Sequence, residues 1–199
     1  MTKIKNVCVY SSASDFLSDI YYEDAAKLGT LMGKNGFDLV YGGGRLGLMY
    51  ANAKAVKDAG GKVVGVLPKK LYDMGLSSDV CDEVIVTDEM RSRKEKMDVL
   101  SDACIALAGG FGTLEEISEM IVQKQLAYNA KAIVFLNTNG FYDNLMKFFD
   151  DIIKENFAQE RMSKCVYFAN TPEEAIDYLL KYVPEHFDVY EKLKIERPV

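Results

Sequence analysis

The sequence predicts a doubly wound α/β fold, in which a mostly parallel sheet is flanked by helices. Short β-branched apolar runs alternate with longer segments of helical spacing, and two of the turns that follow the runs are rich in glycine. Strands joined by helical crossovers run parallel, so these turns share one edge of the sheet, where such folds bind ligands. Strands are predicted at Val7–Tyr10, Asp38–Tyr41, Lys62–Leu67, Glu83–Thr87, Cys104–Leu107, Ala132–Leu136 and Cys165–Phe168.

Helical segments fill the gaps between these strands, and the last one opens with a threonine cap and a first-turn proline. No linker or repeat divides the chain, so we expect one domain over residues 1–183 and a C-terminal arm over 184–199. His186, in the arm, has no matching ligand and is expected to be structural or exposed. Helices are predicted at Ile20–Lys34, Gly47–Lys57, Glu89–Leu100, Thr113–Tyr128, Tyr142–Asn156 and Pro172–Tyr182.

The length and the net charge of the chain argue against several classes of protein. A chain of 199 residues needs no disulfide or metal to hold its core, and its four scattered cysteines are expected to be reduced thiols. Its 24 basic and 30 acidic residues give a net charge of −6, which argues against a nucleic-acid partner, although helix amides can still bind a small phosphate. No stretch has secretory or membrane-spanning length, so we expect a cytoplasmic protein with no membrane partner.

The first glycine-rich turn, residues 42–47, reads GGGRLG and matches the G-x-G-x-x-G pattern between a strand and a helix. A nicotinamide site would need an acidic residue about 20 residues on. The next strand instead ends Leu67-Pro68-Lys69-Lys70, whose lysines leave an NADP site open. The other alternative is that the glycines only permit a tight turn.

The second glycine-rich turn, residues 108–116, reads AGGFGTLEE. Its glycines let successive amides point to one spot, and a helix beginning near Thr113 adds its positive dipole end there, so a phosphate or carboxylate would be held. The competing interpretation is a capping box, in which Thr113 and Glu116 satisfy the first amides of the helix.

A basic element, Met90-Arg91-Ser92-Arg93-Lys94, lies on the same predicted edge. An arginine in the first turn opposes the helix dipole, so Arg91 and Arg93 indicate a task other than helix stability. Arg93 follows Thr87 by six residues and can reach the loop at Gly109–Thr113.

Together, these motifs resemble the Lonely Guy (LOG) family of cytokinin-activating phosphoribohydrolases, which is also labelled "possible lysine decarboxylase". The resemblance spans most of the chain. Ala108 stands where the family has proline, Arg91 where histidine is common, and Val9-Tyr10-Ser11-Ser12 where many relatives read Cys-Gly-Ser-Ser. The matching motifs are Tyr41-Gly-Gly-Gly-x-x-Gly-Leu-Met49, Met90-x-x-Arg-Lys94 and Gly109-Gly-x-Gly-Thr-x-x-Glu116.

The resemblance implies a Rossmann-like homodimer that hydrolyses the N-glycosidic bond of a purine nucleoside 5′-monophosphate, either cytokinin-type or AMP. Arg93 and Glu116 match the family's catalytic pair. Glycosidic cleavage builds oxocarbenium-like charge, which Glu116 would stabilise, unless it aligns the water; Arg93 keeps its proton and would supply position and charge. No cofactor or metal is expected. The residues expected to bind substrate are Gly42, Gly43, Gly44, Met90, Lys94, Gly109, Gly110, Phe111, Gly112, Thr113 and Leu114.

Two other functions stay open at this point. A non-catalytic nucleotide-binding or sensing module would use the same loops, with Glu116 serving only as a helix cap. An NADP-linked oxidoreductase would use the first glycine-rich turn. The group that protonates the departing base is also open among Glu115, Glu89 and a water molecule.

Overall fold

A single parallel sheet of seven strands forms the centre of the molecule. The computed structural model describes residues 4–185 and 187. The sheet order is β4-β3-β2-β1-β5-β6-β7, and every neighbouring pair is parallel. The order reverses at β1, which places the crevice of a doubly wound fold beside that strand. The strands are β1 (Asn6–Tyr10), β2 (Asp38–Tyr41), β3 (Val63–Pro68), β4 (Glu83–Thr87), β5 (Ala103–Ala106), β6 (Ala132–Leu136) and β7 (Tyr167–Ala169).

Helices cover both faces of the sheet, as predicted. Two short 3₁₀ turns, Thr138–Gly140 and Glu160–Cys165, and one five-residue helix were not predicted from the sequence. The helices are α1 (Asp19–Lys34), α2 (Gly47–Asp58), α3 (Lys69–Asp73), α4 (Met90–Val99), α5 (Phe111–Gln125), α6 (Asp143–Lys154) and α7 (Pro172–Lys181).

Three predicted bounds need correction. The last strand begins at Tyr167 because Cys165 closes a 3₁₀ turn. The helix predicted from Thr113 begins earlier, at Phe111, and ends at Gln125 rather than Tyr128, since Ala127 takes a φ of 62°. The other predicted bounds lie within two residues of the observed ones.

Alternate residues of β1 enter two different apolar layers. Val7 and Val9 pack with residues of α1, α2 and α7, whereas Cys8 and Tyr10 pack with residues of α4, α5 and β6. Period-two alternation of this kind is what a sheet covered on both faces requires. The helices α4 and α5 belong to the second layer, and their N-terminal parts lie at the edge of the sheet where β1 and β5 end.

In the part of the chain that is described, no helix is both long and apolar enough to span a membrane. None of the four cysteines, all of which lie among the described residues, forms a disulfide, and three of them are buried. His186 and residues 188–199, most of the predicted arm, lie outside the described residues.

Candidate active site

A cleft of about 410 Å³ opens at the carboxyl edge of the sheet, between the loops that follow β1, β2 and β5. A larger groove of about 870 Å³, beside α6, contains none of the predicted site residues. The cleft is lined by Arg93, Glu116 and six of the predicted binding residues, namely Gly42, Gly44, Met90, Gly110, Gly112 and Thr113.

Arg93, near the start of α4, and Glu116, in the second turn of α5, are in direct contact. Arg93 Nη1 donates to Glu116 Oε1 at 3.0 Å, and Nε donates to the carbonyl oxygen of Val66 at 3.0 Å. Each side chain of the pair is 11% exposed. Because α4 follows β4 and crosses the end of β3, the guanidinium is fixed by a backbone carbonyl on one side and by the carboxylate on the other.

Burial is the main influence on the Glu116 carboxyl group. It raises the pKa of Glu116 above its ordinary value, while the charge of Arg93 works in the opposite direction. The carboxylate is therefore poorly solvated and has one fixed cation beside it. Such a group interacts strongly with any positive charge that develops in the cleft.

The capping-box interpretation of Thr113 and Glu116 is wrong. The N-cap of α5 is Gly110, so Thr113 is the third residue of the helix and Glu116 lies in its second turn. Neither side chain satisfies the first amides, and Glu116 turns toward Arg93 instead. The acidic residue is thus available for a role in the cleft.

The N-terminus of α5 is open to a ligand. Within residues 4–185 and 187, nothing accepts a hydrogen bond from the amides of Phe111, Gly112 or Thr113. A Cβ atom placed on Gly110 or Gly112 would meet nothing within 4 Å, and neither glycine has a positive φ. Three free amides and the positive helix end therefore face unfilled space, an arrangement suited to an anion.

The N-terminus of α2, in contrast, is already occupied. The amide of Gly47 donates to Asp15 Oδ1 at 2.8 Å, and the amides of Leu48 and Met49 donate to the carbonyl oxygen of Ser12 at 3.0 and 3.4 Å. A pyrophosphate would have to displace a carboxylate there. The helix that follows the G-x-G-x-x-G turn consequently lacks, at its N-terminus, the free amides on which dinucleotide binding depends.

Five predicted binding residues do not line the cleft: Gly43, Lys94, Gly109, Phe111 and Leu114. Gly43 has a φ of 68° and packs against Leu67, and Gly109 lies against Thr113. Phe111 is 93% exposed. Gly43 and Gly109 therefore pack against two residues that do line the cleft, Leu67 and Thr113.

Lys94 is placed differently from the prediction that it binds the substrate anion. Its ammonium group pairs with Glu115 and, at 2.6 Å, with Glu119 on α5. One residue along a helix is a rotation of about 100°. When Arg93 faces the cleft, Lys94 must therefore face the outer side of α5, where it fastens α4 to α5.

Sequence reasoning missed most of the apolar wall of the cleft. Leu67 is the penultimate residue of β3, whereas Leu71 and Leu76 come from α3 and the segment after it. A five-residue helix is too short to show a hydrophobic period, so these leucines had no pattern to identify them. Ser11, in the turn after β1, also lines the cleft; its Oγ atom is buried and has no hydrogen-bond partner among the described residues.

Comparison with known proteins agrees with this geometry. A family model described as "possible lysine decarboxylase" matches residues 49–179. The curated cytokinin riboside 5′-monophosphate phosphoribohydrolase LOG4 of Arabidopsis thaliana is 38% identical over 98% of this chain and 92% of its own length. LOG of Oryza sativa subsp. japonica, which carries the same activity in its name, is 38% identical over 93% of this chain and 76% of its own.

Among solved structures, the molybdenum cofactor carrier protein of Chlamydomonas reinhardtii superposes with a TM-score of 0.71. It is 26% identical and the match covers 91% of this chain and all of that one. The predicted fold class is thereby confirmed. Since the family model covers more than half of the chain and the curated relatives match nearly all of it, the chain belongs to the LOG family of phosphoribohydrolases.

Proposed function

We propose that the protein hydrolyses the N-glycosidic bond of a cytokinin-type purine nucleoside 5′-monophosphate, releasing the free base and ribose 5-phosphate. The observation that carries the proposal is the buried Arg93–Glu116 pair, which faces a cleft shared with the open N-terminus of α5. Relatives over nearly the whole chain carry this activity in their names.

The 5′-phosphate is assigned to the free amides at the start of α5, with the hydroxyl of Thr113 beside them. This assignment is supported by the open space over Gly110 and Gly112, which lets phosphate oxygens approach the backbone. The hydroxyl of Ser11, which has no hydrogen-bond partner among the described residues, is proposed as a further polar contact for the ribose phosphate.

Cleavage of the glycosidic bond develops positive charge on the ribose, and Glu116 is the group proposed to stabilise it or to align the attacking water. Its poor solvation makes the carboxylate effective against that charge. Arg93 keeps its proton at working pH, so it is proposed to orient the carboxylate and to contact the substrate rather than act as a general acid.

The base is assigned to the apolar side of the cleft. Met49, Leu67, Leu71, Leu76 and Met97 line this side. Apolar side chains favour a flat base and an apolar N6 substituent over a charged group. This lining supports a cytokinin nucleotide over AMP as the preferred substrate.

A homodimer is also proposed. Phe111, Leu114 and Val122 lie along one side of α5, with exposed fractions of 93%, 38% and 49%. An exposed apolar stripe of this kind favours burial against a second copy. Light scattering should give the mass of a dimer, and Val122→Asp should reduce it, whereas Phe148→Asp on α6 should not; a wild-type monomer would contradict the proposal.

The activity can be tested by incubating the protein separately with AMP and with isopentenyladenosine monophosphate while free base and ribose 5-phosphate are measured. Glu116→Gln should lower turnover by about 10²–10⁴-fold. Glu95→Gln, an exposed change on α4, is the matched control and should retain activity. Saturable binding without base release would favour the nucleotide-binding module, and an active Glu116→Gln variant would contradict the catalytic assignment.

A further inference from the structure

Gly42, the residue that follows β2, lies directly against the guanidinium group of Arg93. A Cβ atom built on Gly42 would be 2.0 Å from Arg93 Nη2 and 3.2 Å from Cζ. The φ angle of Gly42 is not positive, so the backbone conformation does not demand glycine there. The absence of a side chain matters because the guanidinium of Arg93 occupies the space that a Cβ atom would take.

The guanidinium of Arg93 cannot move away from Gly42 without disturbing its own hydrogen bonds. Its Nε atom donates a hydrogen bond to Val66 O and its Nη1 atom donates one to Glu116, and the side chain is 11% exposed. Any movement that relieves a 2.0 Å contact must stretch or break at least one of these bonds. Gly42 therefore forms the third side of the site that holds Arg93.

We propose that Gly42 is a positioning residue: the space left by its missing side chain seats Arg93 Nη2 and thereby fixes the guanidinium against Glu116. This differs from the sequence-based expectation that Gly42 contacts the substrate. Its consequence for turnover rests on the proposed function, whereas its consequence for the carboxyl group of Glu116 does not.

Displacing Arg93 should change the ionisation of Glu116. Burial raises the pKa of this carboxyl and Arg93 opposes that effect, so a displaced guanidinium leaves burial less opposed and the pKa should rise further. The other charged or titratable groups that influence Glu116 are Lys94 from α4, Glu115 from α5 itself, and Cys8 and Tyr10 from β1.

The experiment compares Gly42→Ala with Gly44→Ala, each made in the wild type and in the Arg93→Met background. A Cβ on Gly44 would contact only the flexible end of Met49 within 4 Å, so it is the matched control for contact with Arg93. The Glu116 carboxyl is titrated by ¹³C NMR, with its signal identified by its loss in Glu116→Gln. Affinity for AMP and release of base are measured in parallel.

Gly42→Ala should raise the pKa of Glu116 further and lower kcat by about 10–100-fold, with little change in AMP affinity. Gly44→Ala should leave that pKa unchanged. In the Arg93→Met background, Gly42→Ala should have no further effect on either quantity. If Gly42→Ala alone fails to fold, the double variant should fold, because the obstructing guanidinium is gone.

An unchanged Glu116 pKa in Gly42→Ala would overturn the proposal, as would an equal loss of AMP affinity with and without Arg93, since the latter marks direct contact with the nucleotide. A wild type that releases no base would contradict the proposed function instead. The carboxyl titration would still decide the role of Gly42.

Discussion

Removing the Glu116 side chain, which accepts a hydrogen bond from the buried guanidinium of Arg93, should destabilise this protein far more than replacing it with a neutral acceptor. Glu116→Ala leaves Arg93 with the carbonyl of Val66 as its one remaining partner among the described residues. Glu116→Gln keeps an oxygen atom in the same place. The two variants therefore separate the hydrogen bond from the charge of the pair.

The expected magnitudes follow from burial. Both side chains are 11% exposed, and leaving one partner of a buried pair unpaired costs about 3–5 kcal/mol. The residual exposure favours the lower end, about 3 kcal/mol for Glu116→Ala, or roughly 7 °C in Tm for a chain of this length. Glu116→Gln weakens the bond but removes a poorly solvated charge, so its net cost should stay below about 1 kcal/mol.

Urea unfolding followed by circular dichroism gives these differences, provided that the dependence on denaturant is the same for each variant. Arg93→Met combined with Glu116→Leu should return the free energy of unfolding to within about 1 kcal/mol of the wild type, because no charge is then left unpaired. Equal stabilities for Glu116→Ala and Glu116→Gln, or a loss below about 1 kcal/mol for the alanine variant, would refute this account of the pair.

Three further outcomes are expected. Burial raises the pKa of Glu116, so kcat/KM should fall on the acid side with a pKa above the ordinary value of a glutamate. The native state also binds this proton more tightly than the unfolded state, so the free energy of unfolding should decrease as pH rises from the unfolded-state pKa to the native-state pKa. Both effects should vanish in Glu116→Gln. Gly112→Ala should raise stability by about 0.5–1 kcal/mol yet weaken AMP binding measured by calorimetry, whereas Gly47→Ala, at a φ of 58°, should lower the melting temperature. Lys94→Met should cost less than about 1 kcal/mol, because its partners are exposed, and should reduce turnover without changing AMP affinity; a matching loss of affinity would restore it as an anion ligand.

Most of the fold was predictable because each long element carries its own period. The strands of the sheet are short β-branched runs, and α1, α2 and α7 show helical spacing with recognisable ends. The start of α5 was not predictable in the same way, since its N-cap, Gly110, makes no side-chain hydrogen bond and leaves no signal in the sequence. Thr113, which has the residue type typical of an N-cap, lies three residues after the true one.

The catalytic candidates could be identified from their motifs, but their geometry depends on contacts between distant segments. Arg93 and Glu116 were paired in the sequence by spacing and resemblance, and the structure joins them at 3.0 Å. The direction of Lys94 depends on where α5 lies beside α4, and neither helix specifies that placement alone. Leu71 and Leu76 reach the cleft through a helix too short to have a period.

The glycine-rich turns show why a motif cannot identify a phosphate site by itself. Similar glycines serve three physical purposes, and only their neighbours in space distinguish them. Some take a left-handed conformation, some make room for a side chain, and some face empty space at a helix end where amides remain free. Because Asp15 already accepts from the first amide of α2, the helix start beside the turn that matches the dinucleotide pattern is occupied, and the start of α5 is the site proposed for the phosphate. Gly43 and Gly47 take the left-handed conformation, Gly42 and Gly109 make room for a side chain, and Gly110 and Gly112 face empty space.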